Sequence, residues 1–203
     1  MNIYLIRHGE TDWNLMGKVQ GREDIPLNET GRIQAKQSGA ALQNTDAKIV
    51  VTSPLIRATE TAKIISKYLD NAQVIIEDAL IERDFGEMSG MTYDRRKYFD
   101  SFGCEETMEP LEEVSKRLID CIHEYASKYP KQDIVMVSHG AAINSVIMVL
   151  SDGDKGSGKT RLKNACISIL TYEDEGLQLG LFNLSPEELT DFSSHSYYKD
   201  DID

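Results

Sequence analysis

With 203 residues, 40% of them hydrophobic and 28% charged, the chain has enough apolar mass for one full α/β core and the composition of an ordinary globular protein. A formal net charge of −12 argues against nucleic acid as a partner, because nucleic acid needs a basic face. The longest apolar run, Ile143 to Leu150, is too short to cross a bilayer, so no membrane partner is expected.

The first element is a strand, Ile3-Tyr4-Leu5-Ile6, that ends abruptly in Arg7-His8-Gly9-Glu10-Thr11. Four apolar residues in a row read as a buried strand, and the glycine is expected to let the backbone turn tightly. A polar loop from Asp12 to Asn28 follows, with Thr30 or Asn28 able to cap a helix over about 31–42. Lys48 to Thr52 reads as a second strand. Ser53-Pro54 then opens a helix, serine as cap and proline at the first helical position, with Leu55, Ala58, Ala62, Ile65 and Leu69 as its apolar stripe. Val74-Ile75-Ile76 is a third strand, leading into the aperiodic stretch Ala79 to Gly90, and residues 91–109 are mixed and partly helical.

From Pro110 the period is clear: Leu111, Val114, Leu118, Ile122 and Tyr125 mark a long amphipathic helix, with Cys121 beside the stripe as a packed thiol and His123 among solvated charges. Ile134 to Val137 repeats the opening pattern, an apolar strand running into Ser138-His139-Gly140, and a helix over about 141–150 follows. Two closing strands, Cys166 to Tyr172 and Leu177 to Asn183, are joined by the acidic turn Glu173 to Gly176 as an antiparallel hairpin. A polar, acidic tail with at most a short helical turn follows Pro186, and His195 within it reads as solvated. The expectation is a single domain over 1–203, with 186–203 as its tail. No signal peptide is visible in the opening residues, and Cys104, Cys121 and Cys166 show no close spacing, so a reducing cytoplasm is the expectation.

The chemistry lies where the strands end. If the first and the 134–137 strands are parallel neighbours, His8 and His139 meet at one sheet edge, the edge where open α/β sheets bind ligands. Arg57, just past the second strand, falls at the same edge. Two guanidiniums offer donor forks that match phosphate oxygens, each charge-assisted bond contributing roughly 1.5–3 kcal/mol. They supply charge that Mg²⁺ supplies in other phosphoryl-transfer sites. A neutral His8 imidazole can attack phosphorus, adjacent cations keep it neutral, and a protonated His139 would add donors. The leaving oxygen needs an acid, for which Glu10, Glu82, Asp84 and Glu87 are candidates that spacing alone does not rank.

Arg7-His8-Gly9-Glu10-Thr11, the downstream Asn14, Ser53-Pro54-x-x-Arg57-Ala58, Glu82-x-x-Phe85-Gly86 and Ser138-His139-Gly140 together resemble the histidine phosphatase, or phosphoglycerate mutase-like, superfamily, in the family's order from residue 3 to about 183. The resemblance implies an α/β, three-layer α/β/α sandwich with a mostly parallel central sheet and the antiparallel C-terminal hairpin. It also implies a small phosphorylated metabolite as substrate, with no metal and no cofactor. His8 would be the nucleophile and Glu82 the proton donor and acceptor. Arg7, Arg57 and His139, with Asn14 and Gly140, would grip the phosphate, and Gln20-Gly21 would line the rim. The mutase branch carries an asparagine after its second His-Gly, a tyrosine before the glycine of the glutamate motif, and a nearby lysine. This chain has Ala141, Phe85 and Tyr93 there. Gln20-Gly21 and the modest length resemble the phosphatase branch, although Met88-Ser89 stands where its members often carry Trp-Glu. A cofactor-dependent phosphoglycerate mutase, with Arg95, Arg96 and Lys97 as a carboxylate clamp, is the same-fold alternative; a catalytically silent phosphate-binding module is the alternative of a different class.

Gly153 to Thr160 fits the P-loop pattern G-x-x-x-x-G-K-[ST], but too little chain follows to build a nucleotide-binding sheet, so a surface loop is expected. Trp13, Phe85, Met88 and Tyr93 serve equally well as substrate contacts or packed loop residues.

Overall fold

The computed structural model describes residues 1–92, 94–95, 107–173 and 176–196. Strands β1 (Asn2–Arg7), β2 (Ile49–Thr52), β3 (Gln73–Ile76), β4 (Ile134–Ser138), β5 (Ile167–Glu173) and β6 (Gly176–Leu179) form one sheet in the order β3-β2-β4-β1-β5-β6. Strands β1 to β4 run parallel, while β5 lies antiparallel to β1 and β6 antiparallel to β5.

The alternation of side chains sorts the core into two layers. Ile3, Leu5, Ile49, Val51, Ile134 and Met136 face α4 (Leu111–Lys128) and α5 (Gly140–Leu150). Tyr4, Ile6, Val50, Val135 and Val137 point the other way, onto α2 (Glu29–Leu42) and α3 (Ile56–Ser66). The result is the three-layer α/β/α sandwich, with strands apolar on both faces because both faces are covered.

Chain order places the site. Strand β4 inserts between β1 and β2, so the carboxyl ends of three strands lie side by side. Arg7 pairs with Ser138 and Thr52 with Val137. His8, His139 and Ser53 are therefore the next residues along neighbouring strands.

Several local expectations change. Helix α2 is capped by Asn28, whose side chain accepts from Gly31 N at 2.8 Å. Helix α3 begins at Ile56 rather than at the Ser53-Pro54 pair, with Leu55 as an N-cap that lacks a side-chain bond. The Ser53 hydroxyl lies only 3.3 Å from Leu55 N, and its shorter contact is with His139. Gly9 does not turn through a positive φ. It is needed for close approach, since a β-carbon there would overlap the Gly31 carbonyl.

The hairpin's second strand stops at Leu179. Gly180 and Leu181 both bond to Ile169, a one-residue bulge that interrupts pairing until Ile167 meets Leu184. The supposed tail holds an eleven-residue helix, α6 (Pro186–Ser196), whose Leu189 is buried in the α2–α3 layer while Phe192 is exposed; two apolar side chains in a polar stretch gave little periodic signal. His123 is half-buried rather than solvated, its Nδ1 lying 3.2 Å from the Tyr172 hydroxyl. Cys121 is packed as expected, and burial pushes its thiol up to about 12. Tyr93, Arg96, Lys97 and Cys104 lie outside the described residues, as does the side chain of His195. Among the described residues, no helix is long and apolar enough to cross a membrane.

Candidate active site

His8 follows β1 directly and is 2% exposed. Its Nδ1 lies 2.6 Å from Gly9 O, and its Nε2 lies 3.3 Å from Arg57 Nε. A guanidinium can only donate, so Nε2 carries the lone pair and Nδ1 the proton. Burial, then Arg57 and Arg7, push this imidazole well below its ordinary range, against the contrary pull of the Gly9 carbonyl. The result is a neutral, tautomerically fixed ring with its basic nitrogen beside two cations.

Arg57, in the first turn of α3, is fully buried. Its Nη1 donates to Glu23 O at 2.6 Å and its Nη2 to Gly21 O at 2.8 Å. That leaves one N–H on each terminal nitrogen. Burial lowers it to about 10, with Glu82 and Asp24 opposing; it stays cationic at neutral pH. Gly21 is held at φ +51, a left-handed conformation that suits glycine and directs its carbonyl to the guanidinium. Arg7 donates through Nη1 to Leu162 O at 2.6 Å.

The His139 ring centroid lies 5.2 Å from that of His8, as parallel neighbours require. Its Nε2 is 2.7 Å from Ser53 Oγ, while its fully buried Nδ1 has no hydrogen-bond partner among the described residues. Burial, Arg57, His8 and Arg7 all push this ring well below its ordinary range. Of the two protonation states left open for His139, these neighbours favour the neutral one: charging it would put a third cation among two arginines. With the Ser53 hydroxyl proton assigned to Nε2, the neutral ring keeps an N–H on Nδ1.

The structure separates the four candidate acids. Glu82 lines the cavity that holds Arg7, His8 and Arg57, a space of about 750 Å³. Its Oε1 accepts from Arg83 N and Ala142 N, both at 2.9 Å, and its Oε2 from Ala141 N at 3.2 Å. It thus sits on the exposed donors at the start of α5. Glu10 is taken up by Asn28 Nδ2 at 2.9 Å, Asp84 pairs with Arg22 at 3.6 Å, and Glu87 is exposed.

Asn14, Gln20, Gly21 and Gly140 all line the same cavity. The Thr11 hydroxyl lies 3.1 Å from Asn14 Oδ1 and 3.0 Å from Gln20 Oε1. Asn14 Oδ1 also accepts from Thr11 N and Asn164 Nδ2, both at 3.1 Å, so the single hydroxyl proton of Thr11 can go to Gln20 Oε1, and both NH₂ groups are left for a ligand. Phe85 reaches the cavity, whereas Met88 is core and Trp13 is not among the lining residues.

Sequence reasoning missed three contributors. Ser53 was read as a helix cap, but it serves His139. Arg117, beside the apolar stripe of α4, donates to the carbonyls of Ala79 (2.6 Å), Ile81 (2.7 Å) and Glu82 (3.3 Å) and so holds the Glu82 segment; a cation at the edge of a buried stripe was the available signal. The 158–164 segment, read as surface loop, forms a wall of the cavity.

Residues 3–185 match the histidine phosphatase superfamily (branch 1). An uncharacterized phosphatase, PhoE, of Bacillus subtilis is 40% identical over 185 residues, covering 90% of this chain and 94% of that protein. A probable phosphoglycerate mutase, GpmB, of Cronobacter sakazakii is 29% identical, covering 85% and 86%. The structure of a histidine-to-alanine mutant of phosphoserine phosphatase from Entamoeba histolytica, in complex with phosphoserine, superposes with a TM-score of 0.79 at 30% identity, covering 93% of this chain and 98% of that one. The fold, the strand-end geometry and these likenesses agree, and the chain belongs to the histidine phosphatase superfamily.

Proposed function

We propose that the chain is a phosphatase that hydrolyses phosphomonoesters of small metabolites through a phosphohistidine on His8. One observation carries the reading: a buried imidazole whose lone-pair nitrogen meets Arg57 lines a cationic cavity in which, among the described residues, Glu82 is the single carboxylate. The 3.3 Å contact from Arg57 to Nε2 is weak at that length, so an incoming phosphate can take the guanidinium's remaining donors while Nε2 faces phosphorus. Arg7, Arg57, the His139 Nδ1–H and the Asn14 amide stabilise the equatorial oxygens as charge develops on them. Glu82 gives its proton to the leaving oxygen, then takes one from the water that cleaves the phosphohistidine. Phe85, Ala141 and Gln20-Gly21 in the lining support hydrolysis over mutase chemistry. The buried, unpaired Cys121 and Cys166 suit a reducing cytoplasm.

Phosphoserine, the ligand of the Entamoeba structure, sets the scale of a fitting substrate. The test is a panel of phosphorylated metabolites assayed for inorganic phosphate, beside 3-phosphoglycerate with a bisphosphoglycerate primer. Release of phosphate supports the proposal. Rapid interconversion of phosphoglycerates without release overturns it in favour of a mutase.

Ser53 acts on this reading as a positioning residue. Ser53→Ala frees the His139 ring to place its proton on either nitrogen, and kcat is expected to fall about tenfold, one hydrogen bond's worth. Ser53→Thr, which keeps the hydroxyl, should recover most of it, while KM moves little in either variant. Equal losses in both would show a packing role only.

A further inference from the structure

We propose that the cavity contains a second anion subsite, built by Arg161 and Lys18, and that the substrate therefore carries a second anionic group besides its scissile phosphate. The inference rests on the phosphatase reading and narrows it. The chain as a whole has 22 basic and 34 acidic residues, yet among the described residues the cavity lining holds six cations against the lone carboxylate of Glu82. Such an inversion inside a −12 chain is far more charge than one phosphate needs, and Arg7 and Arg57 already serve that phosphate.

The remaining four cations divide cleanly. Lys163 Nζ is bound to the Glu188 carboxylate at 2.7 Å, and Lys159 Nζ donates to Gly153 O at 2.7 Å; both are occupied within the wall. Arg161 and Lys18 have no acidic partner among the described residues. Lys18 is half-buried, with its ammonium 5.2 Å from the Trp13 ring centroid, a contact that orients the charge without neutralising it.

The backbone around Arg161 is clamped. Asn144 Nδ2 donates to Thr160 O at 2.9 Å, Asn183 Nδ2 to Arg161 O at 3.2 Å, and Arg7 Nη1 to Leu162 O at 2.6 Å. The backbone of Arg161, whose side chain is exposed at the cavity wall, is thus tied, one residue away, to an arginine of the phosphate cup. About 750 Å³ accommodates a whole small ligand rather than a phosphate alone. The planar fork of arginine takes a carboxylate or a second phosphate equally well.

The experiment compares kcat/KM for 3-phosphoglycerate against glycerol 3-phosphate, and for fructose 1,6-bisphosphate against fructose 6-phosphate, in wild type, Arg161→Gln, Lys18→Gln and the exposed control Lys36→Gln. Wild type is expected to favour the doubly anionic member of at least one pair by about tenfold or more. Arg161→Gln and Lys18→Gln should each bring that ratio close to one, and Lys36→Gln should leave it alone. The favoured pair tells carboxylate from phosphate. Ratios near one in wild type, or ratios that Arg161→Gln and Lys18→Gln leave in place, overturn the subsite. Should no member nor p-nitrophenyl phosphate be hydrolysed, it is the phosphatase reading that has failed. Calorimetric Kd ratios for the same pairs then decide the subsite by the same criterion.

Discussion

His8→Ala is expected to lower kcat for p-nitrophenyl phosphate at least about 10⁴-fold, roughly 5.5 kcal/mol of lost transition-state stabilisation. The loss is this large because no other group can replace Nε2. His139 has its own Nε2 tied to Ser53 at 2.7 Å, and in that tautomer its buried Nδ1 carries a proton rather than a lone pair. Treatment with chelator should leave the wild-type rate unchanged, since Arg7 and Arg57 carry the charge. The wild-type rate should also show no loss centred near pH 6.5, because His8 is held neutral well below its ordinary range by burial and by Arg57 and Arg7.

The sign for stability follows from the same shift. An imidazole that resists protonation when folded but accepts it when unfolded leaves full stability above about pH 6.5, and stability is lost as pH falls below that value. His8→Ala removes that one contribution, so its melting midpoint should fall less steeply between pH 6.5 and 5 than the wild type's. Residual turnover above a thousandth of wild type in a folded His8→Ala protein would end the phosphohistidine mechanism.

What the sequence made legible was governed by strand register. Two apolar strands that each run into His-Gly, at residues 8 and 139, can meet only if they are parallel neighbours, and Arg7 opposite Ser138 meets that condition. Arg57 followed from the same logic, one strand over. The protonation state of His139 was not legible in this way. It depends on burial and on neighbouring cations, and the neutral His139 emerged only once both arginines and Ser53 had positions. Nor was the carboxylate ranked by spacing: Glu10, Asp84 and Glu87 have the same chemistry as Glu82, and what separates them is a hydrogen bond from Asn28 to Glu10, an ion pair of Arg22 with Asp84, the exposure of Glu87 and the α5 backbone donors on Glu82. The 158–164 wall was hidden for another reason. Its residues are mostly polar and follow the glycine-rich stretch 153–158, as surface loops do, and their role comes from contacts with Asn144 and Arg7 that no local pattern encodes. Its basic composition within an acidic chain was the one available sign.

Glu82→Gln is expected to lower kcat for an alkyl phosphate about 10²–10⁴-fold, the usual range for a positioned proton donor, and its effect should depend on the leaving group. Oε1 spends its lone pairs on Arg83 N and Ala142 N, while Oε2 accepts only the 3.2 Å bond from Ala141 N. Oε2 is therefore the oxygen left to carry a proton. Glutamine can keep its carbonyl on the Oε1 bonds and set its NH₂ at the Oε2 position, where the cost is one weak bond. The fold should survive, with a melting midpoint within a few degrees of wild type. An alkoxide cannot leave without a proton, so with glycerol 3-phosphate both half-reactions slow together. The p-nitrophenolate ion leaves unaided. With p-nitrophenyl phosphate the first half-reaction proceeds, and the second, which needs a base to activate water, becomes limiting. Stopped-flow absorbance should then show a burst of nitrophenolate close to one equivalent per enzyme, followed by slow turnover, and the burst should vanish in His8→Ala. Equal losses for both substrates with no burst, or a larger loss in Glu87→Gln than in Glu82→Gln, would remove Glu82 from the proton path and leave the cationic cup without its acid.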